Sequence, residues 1–566
     1  MSAEMKKILC AFCVFFMLMC SAAFALPSWK LIPAGHWLYD SMMTVASENS
    51  EVCLAQNAPL SVAEIRRYLR GIDPVKLSPA GVKEYERILE YLSSEDRIEM
   101  KSGVITLGAE LQLNPEFYYK SNDSIDWTFH YYYKDNAGTL PVFFDVADAV
   151  LVEADLFAGK NYYASEDDSG WTNIPLRYND FEFSFPRTAY LSTGLSLKGE
   201  SCINFQIGRT GLSIGNTQTD SIILSEKFET DGYAQLSFFS PAFRYTGDVM
   251  QVDVNQFLYL HRIDLHPFKR IQIGLLEGTF VDAPFELRFL NPLMIMHSFG
   301  AWEGYDSYNE TTSDGSSKDY PGGSRACAYL GITFDLAIAK YSRLYGLYAQ
   351  NEIQTWWETQ DTYGKTIPNS FGFQLGEETK LPSKAGGHWI IGIEGVYTNP
   401  WLYIKQDPDW SLFRSRYDEL TGEYVNTWIG TQFGPDTIAG QFRFGYDMHG
   451  KWSVETQYLF MAQGENSSFD VFTDSDGDGH YTYYPSVAWS EGLLSDSAAE
   501  ALAGAVSPTG IPQYTNRVLV RGSYQVLPWM ELSSQIAVSF VSNCGHIENN
   551  FQCGVEFANA VTMTLR

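Results

Sequence analysis

Asp474-Ser475-Asp476-Gly477-Asp478-Gly479 is the sharpest spacing in the sequence that could do chemistry. Oxygen ligands at the first, third and fifth positions, then a glycine, open a calcium loop, because a hard cation needs several carboxylates converging on a sharp turn. The twelfth position is Pro485 rather than a bidentate glutamate, so Ca2+ held by Asp474, Asp476 and Asp478 must borrow a ligand, for which Glu491 is at hand. The expected role is to stiffen a long loop, and an acidic, glycine-rich turn that binds nothing has the same composition. Catalytic patterns are missing. There is no Gly-x-Ser-x-Gly elbow, no His-Glu-x-x-His and no P-loop, and none of the nine histidines stands four residues from another. The 68 acidic residues contain no spacing that singles out an acid/base pair. The expectation is a protein that is not an enzyme.

Composition narrows the class further. Lys+Arg number 39 against Asp+Glu 68, and the resulting charge of -29 opposes nucleic acid, whose phosphates need clustered cations. A mean hydropathy of -0.17 excludes a bundle of membrane-spanning helices. Disorder is excluded too, since 36 Phe, 35 Tyr and 14 Trp supply ample surface to bury. Aromatic-rich, sparsely charged and of middling hydropathy, the chain fits strands that are apolar on one side only.

Three segments follow from local pattern. Residues 1–25 read as a secretory signal peptide: Lys6-Lys7, an apolar run from Ile8 to Cys20, then Ala23-Phe24-Ala25. Residues 26–100 read as a helical module. Ser61 and Glu64 form a capping box ahead of Ile65, Tyr68, Leu69 and Ile72, and Ser78-Pro79 open a second amphipathic helix. A third helix is expected from Trp37 to Ala46. From about residue 101 to 566 the period becomes two. Val518, Val520, Tyr524 and Val526 alternate with Arg517, Arg521, Ser523 and Gln525, and Ile536, Val538 and Phe540 alternate with Gln535 and Ser539. Runs of about ten residues suffice to cross a bilayer as tilted strands. Phe442, Phe444 and Tyr446 lead through a tight His449-Gly450-Lys451 turn into Trp452, Val454, Tyr458 and Phe460. Short turns alternate with long polar stretches at 303–323, 407–424 and 463–481. Trp389, Tyr397, Trp401, Trp452 and Trp529 stand at strand ends, as girdle aromatics do. The fold class expected is mainly β: a closed antiparallel transmembrane β-barrel of about 16–18 strands, at about 25 residues per strand and loop, with a small N-terminal helical module. Soluble sandwiches share the alternation but rarely have such long strands. Five cysteines follow the leader, and only Cys544 and Cys553 are close enough to staple a loop.

Short segments also carry a family resemblance. Phe205-Gln-Ile-Gly-Arg209 with Gly211, Gly215 and Ile222-Ile-Leu-Ser225 is similar to part of the capsule-assembly Wzi family of outer-membrane proteins. So are Leu260-His261-Arg262, Gly274-Leu-Leu-Glu277 and Leu290-Asn291-Pro292-Leu293 with His297, and the Pro-Leu-Ser-Val-Ala-Glu-Ile start of the module. The resemblance covers residues 30–300 and implies a barrel of 18 strands with its module at the periplasmic end. It also implies a lectin-like role, holding exported polysaccharide at the surface of a double-membraned bacterium. Outer-membrane lipid and the insertion machinery are the other partners implied.

Arg209, His261, Arg262, Glu277 and His297 are the polar residues of these matched segments. One reading makes them a charged lumen that binds or filters sugars. The plainer reading is that Arg209 and Glu277 neutralise each other inside a crowded polar interior. The alternative function is a porin-like channel for small solutes, with the helices as an attachment or a plug.

Overall fold

Alternating apolar and polar side chains force a strand to show lipid one face and its neighbours the other, and a sheet without edges satisfies the backbone. The computed structural model describes residues 26–53, 56–93, 98–128, 135–158, 171–176, 186–293, 296, 307–311, 317–321, 326–418, 423–472 and 481–565. It forms a closed antiparallel barrel of 18 strands. The first, β1, runs in three pieces: Ile105–Ala109, Leu111–Leu113 and Glu116–Lys120. Then follow β2 (Gly138–Val146), β3 (Val150–Ala158), β4 (Ala189–Ser196), β5 (Cys202–Arg209) and β6 (Gly232–Ser240). Next come β7 (Phe243–Asp253), β8 (Gln256–Phe268), β9 (Ile271–Asp282), β10 (Ala326–Ala339), β11 (Ser342–Glu352) and β12 (Ser370–Pro382). The last six are β13 (His388–Thr398), β14 (Thr437–Asp447), β15 (Trp452–Gln463), β16 (Gln513–Leu527), β17 (Met530–Ser542) and β18 (Phe551–Leu565). Pairing of β18 with β1 closes the ring. The strand Ile98–Ser102 hairpins onto β1.

The faces divide as alternation requires. Ile263 and Leu265 on β8, Phe442 and Phe444 on β14, Val518 and Val520 on β16 and Ile536 on β17 are exposed outward. Their neighbours Arg262, Asp264, Gln441 and Gln535 are buried inward. At one end all connections are short, at 147–149, 197–201, 241–242, 269–270, 340–341, 383–387, 448–451 and 528–529. Trp389, Tyr446 and Trp452 stack beside this end, as a girdle does. Trp401 departs from the expectation. It is buried inside the barrel rather than in the girdle.

The module contains α1 (Trp37–Glu48), α2 (Val62–Arg70) and α3 (Pro79–Ser93). The Ser61–Glu64 capping box is present. Alone, so small a unit would be marginal. Here it is seated in the short-turn mouth of the barrel. Ser28 N donates to Asp148 (2.6 Å), Tyr341 N to the Ser47 carbonyl (3.0 Å), and Arg70 and Glu51 pair with Glu200 and Lys269 (2.7 and 2.8 Å). These partners sit on four different turns. Ten of the twelve residues of α1 are buried as a result. No disulfide joins Cys544 and Cys553, the pair close enough in sequence to staple a loop.

Candidate functional site

The module is fastened to the wall through buried charges, which persist in a protein interior only when paired. Arg244 of β7 donates from Nε to Glu64 Oε1 at 3.0 Å, both side chains 1% exposed. Glu64 Oε2 meanwhile accepts from Ser61 N, so one carboxylate caps α2 and ties it to the barrel. Arg262 is inward, as expected for the lumen. It donates to Asp264 Oδ1 (2.6 Å) and to Thr333 (2.7 Å), and Asp264 accepts from Asn57 of the module (2.8 Å). Arg262 thus positions the plug through Asp264.

A second fastening was not legible in the sequence. Glu48 of α1 and Glu84 of α3 flank His388 of β13 and His449 in the β14–β15 turn. Glu48 Oε1 lies 2.6 Å from His388 Nε2, His388 Nδ1 lies 3.0 Å from His449 Nε2, and His449 Nδ1 meets Glu84. Burial raises the Glu84 carboxyl, but the His449 ring, Arg87 and the Ser41 hydroxyl outweigh it and hold it at about 2. Glu48 is likewise held below the usual carboxylate range, by His388 and Ser78 against burial.

From the other end, the connection 210–231 turns into the lumen. Ser213–Ile214 pairs with Asn57–Ala58 of the module, so plug and loop meet. Gly215 sits at φ +103 with Leu347 2.5 Å from where a Cβ would be, which only glycine tolerates. Gln218 N and Thr219 N donate to Glu394 (2.8 and 3.0 Å), and the Tyr403 and Tyr329 hydroxyls each donate at 2.6 Å to the carbonyls of Ile222 and Ile223. Ile222 and Ile223 pack with Leu347, Trp401, Leu402 and Trp428 into an apolar core inside the barrel. The polar interior expected is therefore corrected: on the side of β6–β13 it is largely dry, because this loop and residues 401–413 and 428–433 fill it with apolar side chains.

Opposite, along β14–β18 and β1–β3, space remains. Three cavities of about 570, 430 and 540 Å3 succeed one another. The first shares Gly35, Glu226 and Lys227 with the second, and the second shares Asp40, Arg443 and Arg521 with the third. Their walls present Gln112, Gln441, Gln457 and Gln535 among paired charges. Arg443 and Arg521 both pair with Glu455. Beside the first cavity, Arg209 donates to Glu229 at 2.9 Å, with Arg416 at 3.3 Å and Arg187 at 3.6 Å from the same carboxylate. Burial raises Glu229, but Arg187, Arg209, Arg416 and Arg414 outweigh it and hold it below its ordinary value.

Arg209 therefore lines the lumen but pairs with Glu229, not with Glu277. Glu277 and His261 are corrected as well. They face each other across β8 and β9 on the outer wall, in the same parity as exposed Ile263, Leu265, Ile273 and Leu275. His297, Asp474, Asp476 and Asp478 lie outside the described residues, as does the leader. Among the described residues, no group of three or more His, Cys, Asp or Glu could hold a metal ion.

No family model matches the chain, and no curated protein matches it. Among solved structures, Wzi of Escherichia coli, an outer-membrane protein involved in group 1 capsule assembly and described as a carbohydrate-binding β-barrel, superposes with a TM-score of 0.56. The match covers 94% of this chain and 99% of that one, at 10% identity. The fold is similar to that of Wzi. OprD of Pseudomonas aeruginosa (10% identity, 81% and 95% covered, TM-score 0.38) and OmpT of Vibrio cholerae (9%, 82% and 99%, 0.30) also align. The likeness to Wzi extends over the plug and both halves of the barrel, further than residues 30–300, where sequence segments carry it.

Proposed function

We propose that this chain is an outer-membrane β-barrel, exported through its leader, that binds surface polysaccharide and holds it during capsule or exopolysaccharide assembly. The module faces the periplasm and the long connections face outward. The observation that carries this reading is the lumen: among the described residues, a fastened plug and an inward loop leave cavities whose walls include glutamines and paired charges. Such walls match a ligand that offers many hydroxyls and little net charge. Glutamine amides both donate and accept, as sugar hydroxyls do. The role is binding, not catalysis. Wzi, the similar structure, is described as carbohydrate-binding, which agrees with this reading but concerns that protein. Retention of the purified chain on immobilised bacterial exopolysaccharide tests it. Retention by the native chain, weakened in Gln441→Leu and Gln535→Leu, is expected, and passage without retention on any exopolysaccharide contradicts it.

One observation favours a second reading. The three cavities share lining residues from the Arg209 cluster down to His449, a course along which small solutes could pass as in a porin. Solute uptake into vesicles carrying the native chain, unaffected by added glycan, is what that reading expects.

A further inference from the structure

His261 and Glu277 pose a problem that neither the plug nor the lumen absorbs. A histidine and a carboxylate on the lipid-facing wall are costly at the bilayer midplane and tolerated near its rim. Their position answers part of it. Glu277 stands opposite Leu330 on β10, and Leu330 begins the exposed outward series Leu330, Ile332, Phe334 and Ile338. Next around the wall, Leu330 stands opposite Gln350 of β11. The polar pair therefore lies at the long-loop rim of the apolar band, where hydrocarbon gives way to headgroups.

What lies over the pair answers the rest. The segment 283–293 does not cross the barrel mouth but folds back down the outside. Glu286 N donates to the Tyr259 hydroxyl at 2.8 Å, and the Phe289 ring packs 4.9 Å from that of Tyr259. The Phe289 backbone meets the His261 ring. Between this segment and the wall runs a groove of about 570 Å3 lined by Ile263, Leu275, Ile332 and Leu293, with His261 and Glu277 in its wall. That volume is ordinary for a small-molecule site. Leu293 is 89% exposed, and Leu287 and Leu290 are exposed beside it. Only hydrocarbon would leave such a row without cost, and the groove is continuous with the lipid-facing band below.

We infer that this groove seats one lipid of the surrounding leaflet, its acyl chain along Ile263, Leu275 and Ile332 and its hydroxyl or amide head held by His261 and Glu277. The inference rests on the membrane-spanning reading but not on glycan binding. The segment 283–293 acts as a clasp. Lipid held there is selected by its head, whereas lipid elsewhere on the wall is merely solvent.

The test reconstitutes the full chain into vesicles of phosphatidylethanolamine and phosphatidylglycerol containing a little phosphatidylglycerol with a diazirine in its acyl chain. After illumination, labelled peptides are mapped by mass spectrometry. Label at Ile263, Leu275, Leu293 and Ile332 is expected several-fold above that at Val518, Val520 and Ile536, which face lipid on the opposite wall. Glu277→Leu, which keeps the surface apolar and the strand intact, brings the groove down to the level of that wall. Even labelling around the barrel overturns the groove and leaves the membrane reading standing. No label on any strand overturns both. A groove label unchanged in Glu277→Leu also overturns it.

Discussion

The two halves of the barrel wall obey one alternation and enclose different interiors. Along β6–β13 the inward side chains meet the plug and an apolar core built on Ile222, Ile223, Trp401 and Trp428. Along β14–β18 and β1–β3 they meet cavities lined by glutamine, arginine and glutamate. Strand pattern fixes which face is lipid. What the connections carry inward decides whether the other face is dry.

Removing one arginine from each half separates them most strongly. Arg244→Met leaves Glu64 charged and buried, and is expected to destabilise the protein by about 3–5 kcal/mol in guanidinium unfolding of the detergent-solubilised chain. Arg521→Met removes a side chain that is 51% exposed and is expected to cost about 1 kcal/mol or less. Equal losses would mean that the halves do not differ. Next in size is Gly215→Val, which drives a side chain into Leu347. About 1–3 kcal/mol and a changed fluorescence from Trp401 and Trp428 are expected as the inward loop lifts off the dry half.

Acid and base should act on different parts. Glu84 falls from 4.5 to about 2 on folding, so its contribution is complete above pH 4.5 and is lost as pH drops toward 2. Asp220 in the inward loop moves the other way, from 3.8 to about 6, chiefly through burial, opposed by Lys227. Its contribution is complete below 3.8 and is lost as pH rises through 6. Hydrogen exchange should therefore show residues 216–221 tightening as pH falls from 6 to 3.8, and α3 loosening as it falls from 4.5 toward 2. The smallest effect belongs to Gln535→Leu in the wet half. It loses the hydrogen bond from Gln535 Nε2 to the Thr128 hydroxyl (3.2 Å), so about 0.5–1 kcal/mol is expected while glycan retention falls, which separates binding from packing.

Much of the barrel was legible because lipid imposes a local rule. The alternation of β14–β18 and the Ser61–Glu64 capping box depend on residues a few positions apart, so the sequence displays them. The same alternation also places His261 outward, in phase with Ile263 and Leu265. Grouping it with Arg262 as a lumen residue followed the shared motif rather than parity. The inward loop left a trace in Ile222-Ile223-Leu224, an apolar run with no strand period, but nothing local says what it packs against. Trp401 reads as a girdle residue by position and becomes a core residue because residues 401–413 and 428–433 turn inward. The Glu48–His388–His449–Glu84 chain joins residues 340 or more positions apart, and no spacing rule reaches that far.

The module is seated in the short-turn mouth, and the binding role proposed for the barrel requires that it block conduction there. Single-channel recording in planar bilayers, comparing the full chain with a chain lacking residues 27–93, tests it most directly. The expectation is little or no current through the full chain and large, steady steps once the module is gone. Large, steady steps from both would contradict it.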